Sequence, residues 1–128
     1  MKLNLLTAIL GLGFSFVGIF AFFLPENFFS LLPAYYGSFN SHFVKDAGIA
    51  FFSSGLLLLL SLKIIQWRLP LTLGGALFIT LHGLFHIQML IAGMAPTWLD
   101  LATESIVIIS PAILTVLLFV LRLREKSS

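Results

Sequence analysis

Five ionisable side chains lie within, or at the mouths of, long apolar stretches: His42, Asp46, His82, His86 and Glu104. An ionisable group inside hydrocarbon costs about 2.5–3.5 kcal/mol on insertion scales, so a chain that keeps several is expected to use them. Their spacing narrows the chemistry. His42 and Asp46 are four residues apart, as are His82 and His86 in LHGLFH, so each pair shares one face of a helix. Two imidazoles one turn apart, completed by carboxylates from neighbouring helices, are the donor set with which helix bundles hold Zn, Fe or Mn. The leading reading is therefore a transition-metal site drawn from His82, His86, Glu104, Asp46 and His42.

Three other uses compete with it. Asp46 and Glu104, with the histidines, could carry out acid–base work, moving protons along a pathway or onto a lipid-soluble substrate such as a quinone or isoprenoid. Burial disfavours the charged form of either kind of group, which suits that role. Haem ranks lower: its axial ligands come from opposite sides, so only one of His82 and His86 could serve, paired with His42. In the plainest reading the same groups hydrogen-bond across helices as packing contacts, each contributing about 0.6 kcal/mol.

The elements that must position these groups follow from composition. Of 128 residues, 59% are hydrophobic and 9% charged, and mean hydropathy is +1.10. A soluble domain carries about 25% charged residues, so this chain has too few to cover a water-facing surface. A spanning helix needs about 20 largely apolar residues. Four such runs occupy approximately 3–24, 43–62, 71–93 and 99–121, predicting an all-α, four-helix transmembrane bundle as a single domain. Pro70 suits the first turn of the third helix, and Met94-Ala95-Pro96-Thr97 forms a tight connection to the fourth. The first run is too long for the apolar region of a signal peptide and is read as retained.

Lys2, Lys63, Arg68, Arg122, Arg124 and Lys126 fall on one side of this plan, and Glu26 and Asp100 on the other. Basic residues mark the cytoplasmic side, so both termini are expected there. Lys45 lies at the outer mouth of the second span and can snorkel outward. With this orientation Asp46, His86 and Glu104 come to similar depths, His82 slightly deeper, and polar stripes of the last three helices could meet.

The only long loop, PENFFSLLPAYYGSFNSH (25–42), is rich in Phe and Tyr. Its rings suit the headgroup level, and the first reading is an aromatic anchor. The second is a lid over a lipid-facing cavity. Gly11, Ser15 and Gly18 share a side of the first helix, and Gly48 and Gly55 a side of the second, where small residues let membrane helices approach closely. Gly75 and Gly93 share the histidine side of the third. Pro111 frees the Val107 carbonyl and is expected to kink the fourth span. The absence of cysteine excludes disulfides, thiolate sites and Cys nucleophiles. There is no glycine-rich phosphate loop, and no basic stripe for nucleic acid. Expected partners are membrane lipid, a lipophilic small molecule, and a second copy or a larger membrane complex that the glycine faces could accept.

The segment Asn40-Ser41-His42-Phe43-Val44-Lys45-Asp46-Ala47-Gly48, followed by a Gly/Leu-rich span and by LHGLFH, resembles small bacterial four-helix membrane proteins without an assigned activity. The overall plan is similar to the DoxX-like group, some members of which are linked to quinone-dependent oxidation. The resemblance implies a bacterial cytoplasmic membrane, favours redox or quinone chemistry, and points to His42, Lys45, Asp46 and Gly48, with His82 and His86 downstream.

Overall fold

A computed structural model describes residues 2–95 and 97–127, with the side chains of all of these except Lys126 and Ser127. Pro96 of the expected connection, and the side chain of Lys126, lie outside the described residues. The described chain is helical, and four of its helices are long and apolar enough to cross a membrane.

Helix α1 spans Lys2–Phe23 and is followed by the short α2, Pro25–Phe29, and a single 3-10 turn, Ala34–Tyr36. Helix α3 spans Ser41–Lys63 and begins two residues earlier than expected because Asn40 caps it. The Asn40 side-chain oxygen accepts from the His42 and Phe43 amides at 3.0 and 3.3 Å, satisfying donors that have no partner within the helix. Helix α4, Arg68–Ile91, holds Pro70 in its first turn. It ends where Gly93 takes φ +73°, a left-handed conformation glycine adopts without penalty. Gly93 thus stops the helix rather than continuing its histidine face. Helix α5, Trp98–Thr103, opens on a reciprocal cap: Thr97 accepts from the Asp100 amide at 3.2 Å while Asp100 Oδ2 accepts from the Thr97 amide.

Helix α5 passes through a π-helical turn, Glu104–Ile109, into α6, Ser110–Ser127. The Ser110 amide donates to the Ser105 carbonyl, five residues back. The irregularity expected at Pro111 is therefore spread over the turn before it. Beyond Glu104 the buried positions of this helix are Ala112, Thr115, Leu118 and Arg122.

Helix α1 packs on α3, α3 on α4 and α4 on α6, and α6 returns to touch α1. The seams are small residues. A Cβ placed on Gly55 would lie 2.5 Å from the Ser15 amide nitrogen, one on Gly48 2.9 Å from the Gly18 carbonyl, and Gly75 sits against Leu58 and Ser54. Leu10, Leu58 and Leu118 form the core at one end. Buried hydroxyls of Thr7, Ser61, Thr72 and Thr115 donate to carbonyls of their own helices, so they add no unpaired polar group. The outer faces carry exposed Leu5, Ile9, Phe16, Leu77, Leu81, Ile106 and Ile113.

Candidate functional site

Four side chains converge at the end of the bundle remote from the termini. His86 comes from the penultimate turns of α4, Glu104 from the start of the π-helical turn, and Tyr35 and Tyr36 from the 3-10 turn of the long loop. Pro33 opens that turn, and Gly37, at φ +91°, lets the chain leave it. A π turn often marks a functional site, because the added residue re-aims the side chains around it.

Glu104, 2% exposed, and His86, 1% exposed, are the two most deeply buried members. His86 Nδ1 lies 2.6 Å from Glu104 Oε2. The Tyr35 hydroxyl donates to Glu104 Oε1 at 2.6 Å and the Tyr36 hydroxyl to the same oxygen at 2.5 Å. Tyr36 Oη also lies 3.2 Å from His86 Nδ1. Both carboxylate oxygens are thus occupied by donors, which a carboxylate needs when withdrawn from water. With Nδ1–H donating to Oε2, the basic lone pair of His86 is on Nε2. A carboxylate fixes an imidazole tautomer in the same way in hydrolytic triads. The assembly can therefore take up and return one proton at a defined nitrogen.

The tyrosines act as donors only. Burial first, and then donation to Glu104, raise both phenols well above their ordinary range. A raised pKa means that the protonated phenols favour the fold. That contribution is complete below about pH 10, the free-phenol value, and is lost as pH rises beyond it. Tyr35 and Tyr36 are the chain's two tyrosines, so tyrosinate absorbance reports on this cluster alone. The expected titration is suppressed at pH 10 and moves part of the way back in Glu104→Gln. An ordinary midpoint in the folded protein would contradict the arrangement.

The five residues expected to form a metal site do not come together. His42 and Asp46 pair with each other at 3.0 Å on an exposed surface, a local i,i+4 contact that needs nothing from other helices. Lys45 lies over the Phe22 ring at 5.9 Å. His82 meets aromatic neighbours: its ring stacks on Phe78, meets Phe51 edge-on, and lies 4.5 Å from the His86 ring. Among the described residues, no group of three or more His, Asp or Glu is arranged to hold a metal ion. Of the expected set, only His86 and Glu104 meet across two helices, with His82 alongside.

Tyr35 and Tyr36 are the members that sequence reasoning missed, having been read as headgroup anchors or part of a lid. The available signal is their chemistry: two adjacent hydroxyls between Pro33 and Gly37, in a loop whose other benzene rings are phenylalanines. Compared with known protein families, with curated proteins and with solved structures, the chain matches none of them.

Proposed function

We propose that this chain is a multi-pass protein of a cytoplasmic membrane, with both termini inside. Its His86–Glu104–Tyr35–Tyr36 cluster would serve as an acid–base site for a lipid-soluble molecule. Exposed aliphatic and aromatic side chains on every long helix support insertion. Lys63, Arg68, Arg122 and Arg124, at the end of the bundle that holds the termini, support the orientation. The observation that carries the functional reading is the carboxylate–imidazole pair, buried and closed over by two loop hydroxyls. Simple packing contacts do not require three titratable side chains on one carboxylate.

In this reading Glu104 orients His86, and Nε2 exchanges a proton with an oxygen of the bound molecule. The tyrosine turn is the lid, latched on Glu104 and opened when the molecule enters. A quinone-class ring, bearing oxygens that take or release protons, fits this chemistry, and the DoxX-like plan favours the same class.

Equilibrium binding of a short-tailed benzoquinone to protein in phosphatidylcholine nanodiscs tests the proposal. Saturable binding, lost in His86→Gln and retained in His42→Gln, is the expected result. Uptake that never saturates, or that ignores His86→Gln, would count against it.

A further inference from the structure

A second cluster of charge lies at the opposite end of the bundle. The α3–α4 connection and the last turns of α6 enclose a pocket of about 540 Å³, lined by Gln66, Trp67, Arg68, Arg122 and Glu125 among others. From its donors, we propose that this pocket binds a phosphate group, carried by an anionic lipid headgroup or by a free phosphate.

Arg122 is 4% exposed, a deeply withdrawn cation. One terminal nitrogen donates to Glu125 Oε2 at 2.7 Å, and the other reaches Asn4 Oδ1 at 2.5 Å and Thr7 Oγ1 at 3.3 Å. Its Nε is buried without a partner. An unpaired donor on a buried guanidinium is costly, and a small shift that admits an anionic oxygen removes the penalty. Arg68 approaches from the start of α4. Among the described residues, its Nε donates to the Ser61 carbonyl at 3.3 Å, and that is the one bond it makes. Among the described residues, two guanidinium groups from different helices thus share the pocket with a single carboxylate, and that carboxylate is half exposed.

Guanidinium forks match the oxygens of a phosphate better than a point charge does. Trp67, at the pocket's edge and 59% exposed, adds an indole ring at the level where headgroups lie when the long helices cross a bilayer. Basic pockets between helices on the cytoplasmic side are suited to anionic headgroups. This inference concerns a site separate from the His86 cluster and stands or falls independently of it.

Trp67 serves as the reporter once Trp98→Phe removes the other indole. Its emission is followed in phosphatidylcholine nanodiscs as the fraction of phosphatidylglycerol is raised, and in a parallel series as inorganic phosphate is added. A saturable change is expected. Arg68→Gln weakens it about tenfold, as loss of one charged hydrogen bond implies. Glu125→Gln tightens it by removing the competing carboxylate. Lys63→Gln, exposed at the same end but outside the pocket, leaves it unchanged. Saturation by phosphatidylglycerol alone assigns the site to a lipid headgroup, and saturation by phosphate as well assigns it to the free anion. Either supports the site. The proposal is overturned by no saturable change in either series, or by equal weakening from Lys63→Gln and Arg68→Gln. Should Arg68→Gln fail to fold, unchanged or weakened binding in Glu125→Gln overturns it as well.

Discussion

Replacing Glu104 with alanine is expected to lower the stability of the bundle by about 3–5 kcal/mol, the scale of losing two or more hydrogen bonds to a charged group at about 1.5–3 kcal/mol each. An ordinary hydrogen bond between membrane helices contributes only about 0.6 kcal/mol, so the two outcomes are well separated. The larger figure follows from what Glu104 serves: it accepts from Tyr35, Tyr36 and His86 at once. Its loss strands the buried His86 Nδ1–H and takes the acceptor from two partly buried phenols. Glu104→Gln is expected to be milder, because the amide oxygen can still accept from both phenols while its NH₂ faces His86 Nδ1. Unfolding titrations in mixed micelles, with dodecyl sulfate as the denaturing component, measure both variants. A drop of under about 1 kcal/mol for alanine, the scale of an isolated bond, would reduce the cluster to an ordinary packing contact.

The second large effect belongs to the α1–α3 seam. A Cβ on Gly18 would run into the Phe52 amide and the Gly48 carbonyl. These are backbone atoms, so no rotamer change relieves the clash and the helices must separate. Gly18→Ala is therefore expected at the severe end of overpacking, about 3 kcal/mol. Gly13 provides the comparison within the same helix, since a Cβ there meets nothing within 4 Å. Gly13→Ala is expected to be neutral or stabilising by up to about 1 kcal/mol, the propensity gain of alanine over glycine in a helix interior. The same unfolding titrations read the pair. Similar values for the two substitutions would contradict the close approach of α1 to α3.

Much of this architecture is legible in residue types. Hydropathy alone places the four long helices to within a few residues, because no other element can bury so little polar surface at that length. The small-residue spacing of Gly11, Ser15 and Gly18 against Gly48 and Gly55 marks the tightest seam. The meeting of His86 and Glu104 follows from their depths on antiparallel helices. What escapes is decided by contacts with no periodic signature. The His42–Asp46 spacing is the same whether the pair reaches another helix or satisfies itself, and here it satisfies itself. The π turn at Glu104–Ile109 takes up the irregularity expected at Pro111, and a regular period of 3.6 residues cannot foresee it. Tyr35 and Tyr36 look like headgroup anchors because amphipathic rings in such a loop commonly are. Only the fold of the loop turns their hydroxyls inward onto Glu104.

The central claim is that Glu104 fixes His86 as a base at Nε2. The most direct test is nitrogen-15 NMR of the histidine side chains at neutral pH, with His42→Gln and His82→Gln used for assignment. The expected spectrum places the His86 proton on Nδ1 and leaves Nε2 unprotonated, with the tautomer reversed in Glu104→Gln as the amide donates to Nδ1. A wild-type His86 that carries its proton on Nε2, or whose tautomer is the same in Glu104→Gln, would contradict the account.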